Sequence, residues 1–489
     1  MVALQPARNS SSAAAELNLG VLLQQHPELQ IEQDEYNINV TANFGRTLTA
    51  AEVFDRYAAH PGRGMPAHLY FHVPLCSYIC HFCNYVKRRL PNDGKADATL
   101  DEWVTLLTAE SQAYLDRVGW LREARIESFF IGGGTAALLR PRQLERLIAH
   151  VRKNYALSPD CELTLEGNPD NFQCDYIRAA QAIGFNRFSV GVQSFQDEVT
   201  GFTGRGHDGR ASLAAIDHLL ESHRPFNVDI MFGLPFQTVE SVERDIRTLV
   251  TRRVPTITIY RLRNAERHKM GIGNRALWNV PAVRDQLHAE HRFPSITTTY
   301  AMREAAVRTL LEHGYTPSPC GWWNAPGTYP EGNIPRVSRN KWQRYDTMIA
   351  FGPGAYGWLT GETAEVVQTH NETDIAAYAK RVKAGDSRPI AFGRLLSGHQ
   401  AAGSALGFAF KANQPIRPER FRRQYGVEIL EQEPYRGVFR ELVARGLLEF
   451  VEGGAALKPT LNGEALHEEI ISVYLQGRIG QFDEAVCRR

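Results

Sequence analysis

Short apolar runs alternate with helical patterns over the first half of the chain. From about Ala67, runs rich in β-branched and aromatic residues, such as AHLYFHVP, precede segments with apolar residues at helical spacing, such as TLDEWVTLLTAESQAYLDRV. The alternation continues as far as TITIYRLR and gives at least six predicted strands. Repeated strand–helix units are typical of parallel strands joined by crossover helices. The pattern therefore predicts an α/β fold with a full or partial (β/α) barrel.

The pattern changes at both ends of the chain. Residues 1–50 have mixed polarity and a Ser/Ala tract, so we predict an N-terminal extension that is partly disordered and is not a signal peptide. Residues 51–375 are predicted to form the barrel core with a substrate-covering segment. Residues 376–489 have the pattern of helices, a short hairpin and a further helix, which predicts a smaller, mainly helical C-terminal domain.

Composition argues against several classes of protein. The 489 residues include 55 basic and 54 acidic side chains, for a formal net charge of +1. This balance gives no indication of a nucleic-acid partner or an anionic membrane surface. No apolar run approaches the roughly 20 residues that a membrane-spanning helix needs. Seven cysteines, three of them crowded together, predict a reducing cytoplasm rather than a secreted disulfide scaffold.

The three crowded cysteines lie in the stretch CSYICHFC. The spacing of Cys76, Cys80 and Cys83 lets one loop wrap around one centre, and thiolates are ligands for soft metals. Structural cysteines without a metal are seldom packed this closely. A zinc site would need a fourth ligand, such as His72 or His81. An iron–sulfur cluster normally takes four thiolates, so three would leave one iron with an open coordination position.

This C-x3-C-x2-C motif at the end of a first barrel strand resembles the radical S-adenosylmethionine (SAM) superfamily. The resemblance implies that Cys76, Cys80 and Cys83 hold a [4Fe–4S] cluster whose open iron binds SAM. The stretches GGGT, GVQSF and DIMFGLPFQT follow in the order of that superfamily. Together they are most similar to the oxygen-independent coproporphyrinogen III oxidase-like (HemN-like) subgroup, whose C-terminal domain residues 376–489 resemble in outline.

The same resemblance assigns residues to the SAM bound at the cluster. Glycines let the backbone approach a ligand closely, and polar residues at the ends of barrel strands form active sites. Taken singly, the glycines would form a tight turn, and Glu166 or Arg205 would be a surface residue. In the family context, Arg205 is expected to pair with the methionine carboxylate. The full predicted set is Tyr70, Phe82, Gly132, Gly133, Gly134, Glu166, Gln193, Arg205 and Asp229.

Departures from the subgroup determine which member is expected. The oxidase has a further cysteine two residues after the motif, where this chain has Tyr85. The runs CNYVKRR and GPGAYGW look most like the class C radical SAM methyltransferases and cyclopropanases. That resemblance implies a second SAM and transfer of a methyl or methylene group to an sp2 carbon of a small unsaturated or aromatic natural product. Asn340, Trp342 and Gln343 are the candidates for the second SAM, and no catalytic residue is assigned.

Two other functions stay open. One is a coproporphyrinogen III oxidase-like decarboxylase or heme-processing enzyme, and the other is a heme chaperone with His72, His81 or His207 as iron ligand. The Trp-, Tyr- and Asn-rich stretch 320–361 contains side chains that stack on a planar ring. An electron donor such as flavodoxin or ferredoxin is expected as a partner. The remaining cysteines, predicted to be structural, are Cys161, Cys174, Cys320 and Cys487.

Overall fold

The structure is a computed structural model. It describes residues 17–30, 45–262, 293–317, 321–327, 335–361, 365–385, 390–413 and 415–479. The elements up to residue 232 are α1 (Leu19–Gln25), β1 (Arg46–Leu48), α2 (Ala50–Ala59), β2 (Pro66–Val73), β3 (Leu75–Cys76), β4 (Arg88–Arg89), α3 (Ala96–Arg117), β5 (Arg125–Gly133), α4 (Pro141–Asn154), β6 (Ala156–Gly167), α5 (Cys174–Ile183), β7 (Arg187–Gln193), α6 (Asp197–Phe202), α7 (Gly209–Glu221) and β8 (Phe226–Phe232).

The second half adds helices and shorter strands. They are α8 (Val239–Thr251), β9 (Thr256–Arg261), α9 (Ile296–Glu312), β10 (Thr316–Pro317), β11 (Trp322–Asn324), α10 (Arg336–Arg344), β12 (Thr347–Phe351), β13 (Tyr356–Thr360), β14 (Val366–Asn371), α11 (Ile375–Lys383), β15 (Ile390–Leu396), α12 (His399–Ala412), α13 (Pro418–Tyr425), α14 (Tyr435–Ala444), β16 (Leu448–Val451), β17 (Ala456–Pro459), α15 (Leu461–Ala465) and α16 (His467–Ile470). Short 3-10 helices lie at Pro27–Leu29, Gly119–Arg122, Ala136–Leu138, Pro169–Asn171 and Glu452–Gly454, and a π-helix at Ile471–Ile479.

One mixed sheet of 13 strands organises the described residues. Its centre is parallel, in the order β12, β2, β5, β6, β7, β8 and β9. Antiparallel strands β13, β14, β15 and β1 extend it beyond β12, and β11 and β10 extend it beyond β9. Within the described ranges, β1 and β10 do not pair with each other, so the barrel is open. The predicted α/β fold is confirmed, in its partial-barrel form.

Burial on both faces explains why the central strands are nearly continuous apolar runs. Leu69, Phe71 and Val73 of β2 have no exposed surface. The crossover helices turn an apolar stripe to the sheet, as Leu147 of α4 shows. Pro141 begins that helix, because a residue at the first helical position needs no N–H donor.

The first and the last described segments contact the barrel. The α1 segment contacts α9, where the Leu19 backbone N–H donates to Glu304 Oε2 at 3.0 Å. Helices α12 to α14, the β16–β17 hairpin and α15–α16 form the last part of the chain. Strand β15 lies beyond residue 376 but pairs with β14 in the main sheet, and the division into three domains stays a prediction. Among the described ranges, no helix is both long and apolar enough to span a membrane.

A buried carboxylate connects a barrel helix to the antiparallel part of the sheet. Glu110 on α3 is 1% exposed. Its Oε1 accepts the Asn371 amide at 2.8 Å, and its Oε2 accepts the Gly352 backbone N–H at 2.7 Å. The Tyr378 hydroxyl of α11 also donates to Oε2. Removing this acceptor would leave the Gly352 N–H, the Tyr378 hydroxyl and one Asn371 N–H without an acceptor, although the Asn371 amide keeps its bond to the Gly352 carbonyl. Burying donors without acceptors is costly.

Replacing Glu110 should therefore destabilise the fold strongly. We expect Glu110→Ala to lower the free energy of unfolding by about 3 kcal/mol, since each orphaned donor costs about 1–3 kcal/mol. The control is Glu102→Ala on the same helix, which breaks an exposed ion pair with Lys383 and should cost less than about 1 kcal/mol. Urea denaturation followed by circular dichroism measures both. Equal small losses in the two variants would contradict the role of Glu110.

Candidate functional site

A cavity of about 770 Å³ lies at the carboxyl ends of the parallel strands. It is lined by residues from the ends of β2, β5, β6 and β7, from β8 and β9, and from the C-terminal region. Cys76, Cys80 and Cys83 all line it, as the barrel topology predicts for an active site. The three cysteines that are predicted to hold the cluster therefore lie together in this cavity.

The cysteine loop is held by backbone contacts. Cys76 ends β3, and the Cys83 backbone N–H donates to the Cys80 carbonyl at 3.2 Å. The His81 backbone N–H donates to the Thr203 carbonyl at 2.9 Å, which ties the loop to the segment after α6. The loop is therefore fixed from both sides.

The three thiols form a donor set that fits a cluster with one open iron. All three are free cysteines. Burial raises the pKa of the Cys76 thiol to about 12 and also raises the pKa of the Cys83 thiol. A coordinating metal deprotonates such thiols outright, and the Arg205 guanidinium, 3.4 Å from the Cys80 sulfur, favours negative charge there.

Glycines at the end of β5 allow two close approaches. A Cβ atom on Gly132 would lie 2.0 Å from Glu166 Oε2. A Cβ atom on Gly134 would lie 2.7 Å from the Leu75 carbonyl oxygen and 2.9 Å from the Cys76 sulfur. Gly133 has a φ of 109°, which favours glycine. The glycine run is needed for packing against the cysteine loop.

Two carboxyl groups face the cavity. Glu166 is the next-to-last residue of β6, and burial, together with the charge of Asp229, raises its pKa to about 8. Asp229 lies in the middle of β8 rather than at its predicted end. Its Oδ1 accepts the Asn227 amide at 2.7 Å, and burial raises its pKa. Both groups are suited to hydrogen bonding with ligand hydroxyl or amino groups.

Gln193 and Arg205 are already positioned by neighbouring polar groups. Gln193 ends β7 with a φ of 72°, and its Oε1 accepts the Tyr260 hydroxyl. The Arg205 guanidinium donates to the Gly191 carbonyl and, at 3.3 Å, to Asn168 Oδ1. These contacts hold the cation beside the cysteine loop.

The two predicted aromatic residues also line the cavity. The Tyr70 hydroxyl lies 3.2 Å from His72 Nδ1. Phe82 is buried in a small apolar cluster that includes Met231 and Leu234. Tyr85, in place of the further cysteine of the oxidase, is 63% exposed at the rim of the cavity.

The histidines predicted as possible heme-iron ligands mostly hydrogen-bond to other groups of the protein. His72 Nε2–H donates to the Val86 carbonyl at 2.7 Å, and its Nδ1 faces the Tyr70 hydroxyl. His207 accepts from Arg205 Nε at 3.0 Å and lies 2.9 Å from the Ser212 hydroxyl. Both ring nitrogens of these two histidines are used, which argues against them as iron ligands. His81 uses Nδ1 to donate to a backbone carbonyl.

Of the three candidates for a second SAM, Asn340 is not among the residues that line the cavity. The Asn340 amide donates to Glu127 Oε2 at 2.9 Å, near the amino end of β5 and opposite to the cysteine loop. The side chains of Trp342 and Gln343 lie outside the described residues, as do Cys320 and Cys487. The second-SAM assignment stays a prediction.

Sequence reasoning missed several cavity residues. Tyr260 lies in a strand that the pattern did predict, but nothing in TITIYRLR indicated that it contacts Gln193. Trp322 and Tyr356 belong to the aromatic stretch, which gave the right region without the residues. Lys411 and His467 come from the C-terminal region, and no motif indicated them.

Replacing one cysteine of the loop should abolish cluster binding. Cys83→Ala leaves two thiols, so we expect iron after anaerobic reconstitution to fall from about four atoms per chain to near zero. Cys161→Ala is the matched control, because Cys161 is buried on β6 away from the residues that line the cavity. Iron and sulfide analysis measures both. Full iron retention by the Cys83 variant would contradict the ligand assignment.

Adding one methyl group beside the cysteine loop should also reduce cluster binding. In Gly134→Ala the new Cβ would overlap Leu75 and Cys76, so the loop must move and most of the bound iron should be lost. Gly119→Ala is the control, because a Cβ there has no atom within 4 Å. Iron analysis and thermal unfolding distinguish a displaced loop from an unfolded chain. The prediction fails if the Gly134 variant binds iron as well as its control does.

Comparisons with known proteins agree with this geometry. Residues 70–249 match the family model of the Radical SAM superfamily. Heme chaperone HemW of Bacillus subtilis is 24% identical over 409 residues, which are 83% of this chain and 98% of that protein. Anaerobilin synthase of Escherichia coli O157:H7 is 34% identical over 179 residues, 36% of this chain and 39% of that protein. The structure of coproporphyrinogen III oxidase (HemN) from Escherichia coli has the same fold, with a TM-score of 0.69 at 19% identity over 90% of this chain and 99% of that one.

These relatives correct one expectation. The predicted natural-product methyltransferase or cyclopropanase is wrong, because the near-complete alignment with HemW and the match to anaerobilin synthase favour the alternative, a heme-processing enzyme or heme chaperone. The assignment to the radical SAM superfamily is unaffected. The chain carries a radical SAM domain at residues 70–249, with the α/β fold of that superfamily and the [4Fe–4S] cluster and SAM as its cofactors.

Proposed function

We propose that this protein is a radical SAM protein that binds a tetrapyrrole, with heme as its ligand. The observation that carries the proposal is the alignment with heme chaperone HemW, which covers 98% of that protein. An alignment of 409 residues extends well beyond the radical SAM domain at residues 70–249. The similarity therefore includes chain segments outside that domain.

The cofactor end of the cavity supports the radical SAM part of the proposal. Cys76, Cys80 and Cys83 would ligate three irons, and the bound cluster supplies the electron that cleaves SAM. Arg205 would pair with the methionine carboxylate, since its guanidinium is already held in place by backbone and amide oxygens. Glu166 would bind the ribose or amino group of SAM. A site whose polar groups are fixed in advance loses little entropy when the ligand binds.

The aromatic side chains of the cavity support a planar, largely apolar ligand. Trp322, Tyr356 and Trp358 line the cavity, as does Tyr260, whose hydroxyl donates to Gln193. Aromatic side chains present the flat apolar faces on which a macrocycle stacks. The volume of about 770 Å³ lies within the range of about 300–1,000 Å³ of small-molecule sites. Aromatic side chains from the stretch 320–361 would then contact the heme.

A heme-processing enzyme is the second candidate. The observation that favours it is the 34% identity to anaerobilin synthase over 179 residues. A chaperone and an enzyme would share the cofactor residues and the tetrapyrrole, and would differ in whether the ligand is consumed. Either would need an electron donor such as flavodoxin or ferredoxin to reduce the cluster, and a reducing cytoplasm suits the free thiols of the loop.

Titration of the reconstituted, oxygen-free chain with hemin tests the proposal. We expect saturable binding of one hemin per chain with a Soret band shifted from that of free hemin. The same chain unfolded in urea controls for nonspecific association. Hemin that binds without saturation, or equally well to the unfolded chain, would contradict the proposal.

Adding SAM and a reductant to the hemin complex separates the two candidates. The chaperone leaves the Soret band intact and forms little 5′-deoxyadenosine. The enzyme forms 5′-deoxyadenosine in proportion to the loss of the Soret band. Chromatography of the nucleoside and absorbance of the heme are measured on one sample.

A further inference from the structure

Among the described residues, three histidines line the cavity, and their hydrogen bonds decide which of them can bind iron. They are His72, His370 and His467. Both nitrogens of His72 are engaged, by the Val86 carbonyl and the Tyr70 hydroxyl. A heme iron needs an imidazole nitrogen with an available lone pair. The cavity therefore offers two candidates, one in the sheet and one in the C-terminal region.

His467 has the geometry of a metal ligand. It begins α16, is half-buried, and its Nδ1 lies 2.8 Å from the Glu464 carbonyl oxygen. A carbonyl only accepts hydrogen bonds, so the proton is on Nδ1 and Nε2 keeps its lone pair. Nε2 makes no hydrogen bond with any of the described residues. Metal-binding histidines are commonly oriented by such a bond from the other ring nitrogen to a backbone carbonyl.

The surroundings of His467 suit a ligand that carries carboxylates. Lys411 of α12 and Arg303 of α9 line the same wall, and both act on the imidazole electrostatically. Burial lowers the pKa of His467 to about 4, so the imidazole is neutral near pH 7. The Arg303 guanidinium is engaged by Glu469 at 3.0 Å. The Lys411 ammonium adds a second positive charge to this wall, and positive charge suits a ligand carboxylate.

His370 is arranged differently. It lies directly opposite Tyr356 in the β13–β14 pair, and the two rings stack with centroids 3.9 Å apart and planes 9° apart. The Phe392 ring packs against its other side, edge to face, at 5.0 Å. A ring held between two aromatic side chains offers a stacking surface rather than a free nitrogen facing the cavity. His370 is therefore the natural control for His467.

We infer that His467 binds the iron of the heme and that Lys411 contacts one of its propionate carboxylates. The inference rests on the proposed function, since it names the ligand-binding residues of that same cavity. It places the heme against the part of the cavity that His467 and Lys411 line. The C-terminal region would then supply the heme site, and the barrel the cofactor site.

Hemin titration of three full-length, cluster-loaded variants tests this inference. His467→Ala should weaken hemin binding by about tenfold or more and move the Soret band to that of a chain without a histidine ligand. His370→Ala should keep the Soret position of the parent chain. Lys411→Gln should weaken binding without moving the band, because the iron ligand is unchanged.

Added imidazole keeps the test decisive if a variant is damaged. The parent band should return when imidazole is added to His467→Ala, and iron analysis should show its cluster intact. A Soret band that shifts in His370→Ala but not in His467→Ala would overturn the inference while leaving the proposed function standing. A parent chain that binds no hemin would instead refute the proposed function.

Discussion

Backbone hydrogen bonds between the end of β5 and the cysteine loop set the position of the whole site. The Gly134 N–H donates to the Val73 carbonyl at 2.8 Å, and the Thr135 N–H donates to the Leu75 carbonyl at 2.7 Å. Only a residue without a Cβ allows this approach at position 134. Because Cys76 follows directly, the first thiol is fixed relative to the strand ends that carry the polar SAM-binding candidates. The proposed cluster and SAM sites would thus share one edge of the sheet.

A second constraint joins the barrel to the C-terminal region. The buried Glu469 carboxylate accepts from Arg303 of α9 at 3.0 Å and lies 3.4 Å from Arg261 of β9. Breaking one partner of a buried ion pair leaves an uncompensated charge, at a cost of about 3–5 kcal/mol. His467 lies two residues before Glu469 on the same short helix, and the Glu464 carbonyl orients its imidazole at 2.8 Å. The ion pairs of Glu469 therefore hold the helix that carries His467.

The sequence allowed much of the barrel, and the position of the three cysteines at its strand ends, to be predicted for physical reasons. Alternating apolar runs follow from burial of parallel strands on both faces, and closely spaced thiols such as Cys80 and Cys83 have few uses other than metal binding. Those signals are local. Lys411 and His467 line the cavity because segments far apart in the chain pack together, and such packing leaves no short sequence motif. The predicted substrate class was wrong because CNYVKRR and GPGAYGW are short stretches that do not determine the ligand.

The most direct test of a heme site inside the radical SAM cavity is anomalous diffraction at the iron edge. Crystals of the cluster-loaded chain would be grown with hemin and SAM. We expect one compact iron peak beside the cysteine loop and a second, single-iron peak in the same cavity next to His467. Iron confined to the cysteine loop, with hemin absent or bound on the outer surface, would contradict a tetrapyrrole site in this cavity.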